Sequence, residues 1–159
     1  MPKLDVIDDF SPRLKHGFLS NFYLCTIYID KKPFASIEHA YQAHKTLDES
    51  SRELIRKSKT PQEAKKLGKC VQLRSDWIDV RVPLMRTFLI QKFDNPFLQH
   101  MLIATGDAQL IHTNSWNDKF WGICRGEGEN ILGLMLMSIR SELMIAAEKD
   151  YFYSKHKQQ

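Results

Sequence analysis

The sequence predicts a single domain that is mostly helical and has a few short strands. Apolar residues recur at helical spacing in several segments, and most of these segments begin at a residue type that caps helices well. Alternation of apolar and polar residues with a period of two is limited to short stretches. A chain of 159 residues, 43% of them hydrophobic, is long enough to bury the core of one domain. We therefore expect one domain over residues 1–159, with a polar tail, Tyr153–Gln159, that frays.

The predicted strands lie before the first helix. Residues Leu4–Phe10 predict a short strand or an irregular lead-in, and Ser11–Gly17, which contains Pro and Gly, predicts a loop. Apolar and polar residues alternate over Cys25–Ile29, which is typical of a strand. Asp30–Pro33 then predicts a turn, after which Phe34 begins a short return strand.

The first helix is predicted over Ser36–Leu47. Ser36 is a good N-cap, and no Pro or Gly interrupts the segment. One packed face is indicated by residues at helical spacing: Ile37, Ala40, Tyr41, His44 and Leu47. Glu38, Gln42 and Lys45 lie on a neighbouring stripe, where the Lys45 amine is expected to lean back toward the Glu38 carboxylate. An acid and an amine beside a buried face can share a pocket; an ordinary solvent-exposed ion pair is the alternative.

Five further helices are predicted, over Ser51–Lys57, Pro61–Gly68, Asp79–Phe93, Pro96–Ala104 and Ile131–Glu148. Thr60–Glu63 is a capping box with Pro at the first helical position, and Asn95 and Asn130 are expected to cap the last two helices. The helix that begins at Asp79 is apolar on much of its circumference, so we expect it to be central. Leu110–Thr113 predicts one more strand.

The charge of the chain favours a small anionic ligand. The formal net charge is +4, which is compatible with a phosphate. The basic residues are spread along the chain, so they do not by themselves indicate a nucleic-acid-binding protein. Lys65, Lys66, Lys69 and Arg74 form a denser group, which is either a solvent-exposed face or an edge that faces phosphate.

Several classes of protein are disfavoured. The three cysteines, Cys25, Cys70 and Cys124, are odd in number and far apart, so neither a disulfide framework nor a zinc site is indicated. A reducing cytoplasm is therefore expected. No apolar signal core is seen at the N-terminus, and the longest apolar stretch, Ile131–Ile139, is too short to span a bilayer. The sequence predicts a soluble cytoplasmic protein that does not bind a membrane.

Known motifs for metals, nucleotides and acyl transfer are not found. The histidines lack the paired spacing and acidic partners of a metal site. The sequence contains no P-loop, no GxGxxG that follows a strand, and no GxSxG. We therefore expect neither a metal nor a cofactor.

Chemically interesting residues form three groups: Glu38 with Gln42 and Lys45, Asp76 with Trp77, and Asp118 with Trp121. The last group lies in the polar, Gly-containing segment 114–129, of the kind in which sites are often found. Two carboxylates, an amine and a Trp suit chemistry on a sugar attached to a base. Cleavage of an N-glycosidic bond builds positive charge on the ribose, which a carboxylate stabilises, and a Trp can stack on a flat heterocycle. Residue types alone leave this as one hypothesis among several.

Five motifs occur in a fixed order: SIEHAYQAHKT, AKKLGKCVQLRSDW, RVPLMR followed by KF and N, DKFWG, and GENILGLMLMSIRSEL. Together they resemble the NADAR family of YbiA-like N-glycosidases, over about Phe18–Leu143. The resemblance implies an α+β fold, mostly helical, with a small sheet. It also implies hydrolysis of N-glycosidic bonds in nucleotide-like substrates without a metal. The substrates associated with the family are phosphorylated ribosylamino-pyrimidine intermediates of riboflavin synthesis and ADP-ribose attached to guanine bases of nucleic acid.

The resemblance also implies which residues carry the activity. The expected catalytic residues are Glu38, Lys45 and Asp118. The expected substrate-binding residues are Asn21, Gln42, Arg74, Trp77, Trp121 and Gly122. One position departs from the family pattern, because His112 stands where many relatives carry a Glu. If that Glu shapes substrate choice, the substrate of this chain is expected to differ.

Two mechanisms fit these residues. In one, Glu38 or Asp118 activates water while the other carboxylate stabilises the charged ribose. In the other, Lys45 attacks the anomeric carbon and forms a Schiff base, which requires a partly desolvated, neutral amine. The resemblance favours the Lys45 route for ADP-ribosyl substrates. A non-catalytic module that binds ADP-ribose or a nucleotide is the alternative function, and a nucleic-acid-binding protein is less favoured because of the modest charge.

Overall fold

The computed structural model describes residues 5–156, and the fold is α+β with about half of the residues in helices. The helices are α1 (Ile37–Ala43), α2 (Glu49–Arg56), α3 (Pro61–Gly68), α4 (Trp77–Phe93), α5 (Pro96–Ile103) and α6 (Ile131–His156). The strands are β1 (Val6–Ile7), β2 (Ile27–Ile29), β3 (Lys32–Phe34), β4 (Gln109–Leu110), β5 (Thr113–Asn114) and β6 (Ile123–Cys124). The predicted fold class is confirmed, with the strands arranged as three separate pairs.

Contacts between residues divide the chain into two compact units. The central unit is Gly17–Asp94, and the terminal unit joins the N-terminal segment up to His16 to Asn95 and the residues after it. The central unit contains α1 to α4 and the β2–β3 pair, and the terminal unit contains α5, α6 and the other two pairs. The domain boundaries predicted from the sequence, residues 1–159, stay a prediction.

The buried helix α1 is the centre of the central unit. All seven of its residues are buried, and α2, α3 and α4 each pack against it. Ser36 caps it as predicted, because its Oγ accepts a hydrogen bond from the backbone N–H of His39 at 3.3 Å. The ring of His39 contacts Ser36 Oγ through Nδ1 and the carbonyl oxygen of Ser58 through Nε2. Ser36 and His39, at the buried first turn, thus find hydrogen-bond partners within the unit.

The end of α1 lies earlier than the sequence predicts. The helix ends at Ala43, with His44 as its C-cap, whereas the prediction extended it to Leu47. The Nδ1 atom of His44 bonds the carbonyl oxygen of Ala40 at 2.7 Å and thereby satisfies a carbonyl group of the last turn. Leu47 is 61% exposed, so the predicted packed face ends before it. Lys45 therefore lies in the turn after the helix.

The strand pair β2–β3 is a tight hairpin, as predicted. Its turn residues, Asp30 and Lys31, have φ values of 50° and 65°, which suit the twist of a two-residue hairpin turn. The Gln91 side chain of α4 bonds both the N–H and the carbonyl group of Tyr28. This contact fixes the hairpin to α4.

Helix α3 begins as predicted at a capping box. Thr60 Oγ1 accepts a hydrogen bond from the backbone N–H of Glu63 at 3.1 Å, and the Glu63 carboxylate accepts one from the N–H of Lys59 at 2.8 Å. The helix ends at Gly68, also as predicted. Helix α4 begins at Trp77, two residues before the predicted start, so Trp77 is the first residue of a helix.

A lysine is buried inside the central unit. Lys92, near the end of α4, is 2% exposed, and its Nζ donates a hydrogen bond to the carbonyl oxygen of Ser20 at 2.8 Å. The rings of Tyr23 and Phe93 lie 5.3 and 5.5 Å from this Nζ. Burial lowers the pKa of Lys92 to about 8. The ammonium group thus fixes the segment that leads to Asn21.

In the terminal unit, β1 pairs with β4 and β5 pairs with β6, both in parallel. The predicted strand Leu110–Thr113 is divided between β4 and β5. Asn130 does not use its side chain to cap α6, which corrects the prediction. Its φ is 51°, and its amide bonds the N–H of His112 and the carbonyl oxygen of Leu110. The side chain therefore joins the start of α6 to the strand segment.

Helix α6 is longer than the sequence predicts. It continues to His156 instead of ending near Glu148, so residues 153–156 of the predicted frayed tail are helical. Residues 157–159 of that tail and Leu4 of the predicted lead-in lie outside the described residues.

The buried Lys92 predicts how stability depends on pH. Because its pKa is about 8 in the folded protein and near 10.5 when unfolded, the folded state loses this proton first as pH rises. The free energy of unfolding should therefore rise between pH 8 and 10.5, by up to about 1.4 kcal/mol per pH unit from this group. Chemical denaturation should show that Lys92→Met lacks this rise and that Lys66→Met, on the exposed side of α3, retains it. The same pH dependence in both variants would contradict the assignment.

Candidate active site

Glu38 and Gln42 form a buried pair on α1. They are 6% and 4% exposed, and Gln42 Nε2 donates a hydrogen bond to Glu38 Oε1 at 2.7 Å. The backbone N–H of Glu38 donates to the carbonyl oxygen of Asn21 at 3.0 Å, which fixes the first turn of the helix. The alternative of an ordinary exposed ion pair is therefore wrong for this carboxylate, since both side chains lie inside the central unit.

Lys45 lies one turn beyond this pair and is half-buried. Burial is the largest cause that lowers its pKa, and the positive charges of Lys65 and Lys69 on and after α3 lower it further. The Glu38 carboxylate acts in the opposite direction and raises it. The Lys45 Nζ lies 5.8 Å from the centre of the Tyr41 ring. An acid, an amine and two further lysines thus interact electrostatically in one part of the central unit.

Trp77 forms an aromatic wall in the same unit. Its ring centre lies 5.0 Å from that of Tyr41, with the planes at 59°, and it is 6% exposed. Such a tilted pair is a favourable aromatic contact. The predicted role of Trp77 as a wall fits this burial better than a role as an open stacking surface.

Arg74 positions the turn that contains Lys45. Its backbone N–H donates a hydrogen bond to the carbonyl oxygen of Lys45 at 2.8 Å. Its guanidinium forms a two-point contact with Asp76, from Nε to Oδ1 at 2.6 Å and from Nη2 to Oδ2 at 2.9 Å. These bonds lower the pKa of the Asp76 carboxyl. To bind a substrate phosphate, as predicted, Arg74 would have to share its guanidinium with Asp76.

Asn21 has an unused acceptor next to the Glu38 segment. Its Nδ2 contacts Met85 Sδ at 3.6 Å, whereas its Oδ1 is buried and has no hydrogen-bond partner among residues 5–156. A buried amide oxygen without a partner is costly. A donor group of a ligand would satisfy it, which supports the prediction that Asn21 contacts substrate.

Asp118 organises a turn in the terminal unit. Its Oδ1 accepts hydrogen bonds from the backbone N–H groups of Phe120 at 3.2 Å and Trp121 at 2.9 Å. The Asn114 amide bonds the N–H and the carbonyl oxygen of Asp118 at 3.0 and 2.7 Å. The second carboxylate oxygen, Oδ2, is not used in either of the Asp118 side-chain bonds. The geometry gives this residue a structural role whether or not it is also catalytic.

Gly122 is required for close packing in this turn. A Cβ at this position would lie 2.1 Å from the carbonyl oxygen of His112 and 2.8 Å from its Cδ2 atom. The His112 ring lies between two aromatic rings, with centres 5.7 Å from Phe10 and 5.9 Å from Trp116. The ring of Trp121 packs edge-on against Phe120 at 4.9 Å. A side chain at position 122 would therefore collide with the backbone and the ring of His112.

The predicted site residues fall in both units. The central unit contains Asn21, Glu38, Gln42, Lys45, Arg74 and Trp77, and the terminal unit contains Asp118, Trp121 and Gly122. The pairing of Glu38 with Gln42 and the electrostatic interaction of Glu38 with Lys45 are present in the central unit. That Asp118 joins them in one site stays a prediction.

Sequence reasoning missed two features of the site. The contact of Tyr41 with Trp77 joins residues 36 positions apart, and no local pattern indicates it. The close approach of Gly68 to Gln42 was also missed, because a Gly at the end of a helix is usually explained as a stop signal.

Two negative findings apply to the part of the chain that the structure describes. No group of three or more His, Cys, Asp or Glu residues there could hold a metal ion. None of its helices combines the length and the apolar character needed to cross a membrane.

Comparison with known proteins identifies the family. The model of the NADAR domain matches residues 10–144. The chain belongs to the NADAR family. Its relatives include the N-glycosidase YbiA of Escherichia coli, which is 38% identical over 145 residues, covering 88% of this chain and 89% of YbiA. The NMR structure of E. coli YbiA matches with a TM-score of 0.81 and 35% identity, covering 92% of this chain and 89% of that one.

A second kind of relative is longer than this chain. A riboflavin biosynthesis protein of Vibrio vulnificus is 41% identical over 138 residues, which are 84% of this chain but 37% of that protein. The NADAR domain thus occurs both in proteins of about this length and as part of larger proteins.

The two Asp118 bonds predict different effects for two substitutions. Asp118→Ala removes the acceptor of two backbone N–H groups and should lower the free energy of unfolding by about 1 to 2 kcal/mol. Asp118→Asn retains an Oδ1 acceptor, so most of the stability should remain. Chemical denaturation measures both values. Equal destabilisation by the two variants would contradict the structural role.

Proposed function

We propose that this protein is an N-glycosidase that cleaves the bond between ribose and a pyrimidine in a phosphorylated ribosylamino-pyrimidine intermediate of riboflavin synthesis. The observation that carries the proposal is the buried Glu38 carboxylate, bonded by Gln42 and electrostatically coupled to the half-buried amine of Lys45. The names of the relatives, N-glycosidase and riboflavin biosynthesis protein, support the reaction and the substrate class.

The buried carboxylate suits the developing charge of the reaction. As the N-glycosidic bond breaks, positive charge develops on the ribose ring. A carboxylate held in a region from which water is excluded stabilises such a charge more strongly than one in water. Glu38 is held by a side-chain bond from Gln42 and a backbone bond to Asn21, so its position is fixed before the substrate binds.

The lysines near Lys45 support a phosphorylated substrate. The positive charges of Lys65 and Lys69 already act on Lys45, and the chain carries a formal net charge of +4. A phosphate placed near Lys65 and Lys69 would be attracted by both charges. Trp77 would form a wall of the base pocket, and Trp121 would supply a further aromatic surface.

The amine permits a covalent route. The neutral amine forms a bond to the anomeric carbon of the ribose as the bond to the base breaks. The new bond places a positive charge on the Lys45 nitrogen, which gives a proton to the Glu38 carboxylate, and Glu38 passes this proton to the leaving base. Ring opening then gives a Schiff base between the sugar and Lys45. Water adds to the imine and releases the free sugar and the neutral amine. In the direct route, water attacks the same carbon, activated by Glu38 or Asp118.

One observation favours a second substrate. The lowered pKa of Lys45 increases the neutral, nucleophilic fraction of the amine, and the covalent route fits ADP-ribose attached to a guanine base of nucleic acid. ADP-ribosylated nucleic acid is therefore the second candidate.

The cysteines bear on the location of the enzyme. Cys25, Cys70 and Cys124 are all free thiols, which is consistent with a reducing compartment, and we place the enzyme in the cytoplasm.

One set of assays tests both the substrate and the role of the Glu38 carboxylate. The purified protein should release free pyrimidine from the ribosylamino-pyrimidine phosphate, measured by chromatography, and ADP-ribosylated guanine DNA is the parallel assay. Glu38→Gln retains an acceptor for Gln42 but loses the charge, so the rate should fall by about 10²- to 10⁴-fold while the protein stays folded.

The outcomes separate the candidates. A normal rate in Glu38→Gln would remove this carboxylate from the mechanism. Tight binding of ADP-ribose by calorimetry, with no base released in either assay, would identify a non-catalytic binding module and overturn the proposal.

If Lys45 is the nucleophile, the charges of the neighbouring lysines should affect the pH dependence of kcat/KM. Borohydride should trap a sugar adduct on the wild-type protein and not on Lys45→Arg. Because Lys65 and Lys69 lower the pKa of Lys45, Lys65→Gln and Lys69→Gln should each raise it. The alkaline rise of kcat/KM should then move to higher pH. Lys66→Gln, an exposed neighbour on α3, is the matched control and should leave the profile unchanged.

The covalent route fails if no adduct is trapped while the enzyme turns over. It also fails if the pH profile is the same in all three Gln variants, because the neighbouring charges would then not act on the nucleophile.

A further inference from the structure

Only one side of the Gln42 side-chain amide is held by a hydrogen bond. Its Nε2 donates to Glu38 Oε1 at 2.7 Å, which fixes the orientation of the amide, because the opposite orientation would direct Oε1 at the carboxylate. Gln42 Oε1 is buried and has no hydrogen-bond partner in the described part of the chain. Since one side of the amide lacks a polar partner, another contact must keep the side chain in place.

That contact is the backbone of Gly68. A Cβ at position 68 would lie 2.0 Å from Gln42 Oε1 and 2.8 Å from both Cβ and Cδ of Gln42. Carbon atoms that are not bonded do not approach so closely, and the clash includes the Cβ atom, which a rotation of the amide cannot move. Gln42 therefore packs directly on the bare backbone at the end of α3.

The glycine is not needed for the conformation of the chain. Gly68 is the last residue of α3, and its φ lies outside the left-handed region that favours glycine. An Ala would favour the helix on propensity alone. The steric contact with Gln42 therefore accounts for a glycine at this position.

We propose that Gly68 is a positioning residue, which acts through Gln42 on the Glu38 carboxylate. This inference rests on the proposed function of Glu38. A side chain at position 68 can be accommodated in two ways: Gln42 leaves Glu38, or α3 moves away from α1. The first loses the bond to the carboxylate. The second also withdraws Lys65, which is on α3, and Lys69, which follows it, from Lys45.

A double-mutant cycle tests this coupling. Gly68→Ala should lower kcat by roughly 10- to 100-fold, which corresponds to the loss of one hydrogen bond to a charged group. Gln42→Gly should have a similar effect. In the Gln42→Gly background, Gly68→Ala should cost little more, because all three Gln42 atoms that the new methyl group would meet are already absent. Gln62→Ala, at an exposed position of the same helix, is the matched control and should leave kcat unchanged.

Two further readouts do not depend on turnover. The NMR signal of the Gln42 side-chain amide should change in Gly68→Ala and not in Gln62→Ala. The effect of Gly68→Ala on thermal unfolding should also reverse in sign: it should lower the midpoint in the wild-type background and raise it in the Gln42→Gly background. There the new methyl group occupies space that Gln42 has vacated and the helix gains an Ala.

If Gly68→Ala costs the same activity in both backgrounds, or leaves the Gln42 amide signal unchanged, Gly68 does not act through Gln42. If the wild-type protein turns over neither substrate, the proposed function fails. The amide signal and the unfolding cycle then still decide whether Gly68 holds Gln42.

Discussion

The central unit depends on the complete burial of a short polar helix. α1 contains Glu38, His39 and Gln42 among its seven residues, and all of them are buried. Buried polar groups are costly unless they are bonded, and each of these three side chains has at least one partner. His39 finds Ser36 and Ser58, and Gln42 finds Glu38. The helix thus enters the core already carrying the acid that the proposed reaction uses.

The same burial explains why the amine differs from an ordinary lysine. Lys45 follows the C-cap of α1, and its carbonyl is held by the backbone of Arg74, so its main chain cannot turn outward to solvent freely. Its side chain is consequently half-buried, and burial is the largest cause of its lowered pKa. The largest cause of the shift is therefore burial, and the charges of Glu38, Lys65 and Lys69 add smaller changes of opposite sign.

Local signals in the sequence predicted much of this architecture. Ser36, Thr60 and Asn95 each cap the helix that follows, because a cap acts on backbone groups two or three residues away. The turn predicted over Asp30–Pro33 also follows from local residue types, and in the structure its turn residues are Asp30 and Lys31. The shared stripe of Glu38 and Gln42 follows from residue spacing, whereas the α+β fold class is what the family resemblance implies. These features depend on short-range geometry that a sequence pattern records.

Contacts between distant segments could not be predicted in this way. Asn130 has the residue type of a cap, but its amide bonds a strand segment about 20 residues earlier. Gly68 has the position of a stop signal, but its bare backbone accommodates Gln42. In both cases the residue type fits a local explanation, and the partner that decides its role is brought close only by the tertiary fold.

The lysines around Lys45 have two roles that oppose each other in the proposed mechanism. In the free enzyme, Lys65 and Lys69 lower the pKa of Lys45 and so increase its neutral fraction. A bound phosphate would offset their charges and would therefore raise that pKa again. Burial acts differently, because a substrate that covers the amine removes more water from it. Since burial is the largest cause of the shift, the amine can remain a nucleophile in the complex even when its neighbours are neutralised by the substrate.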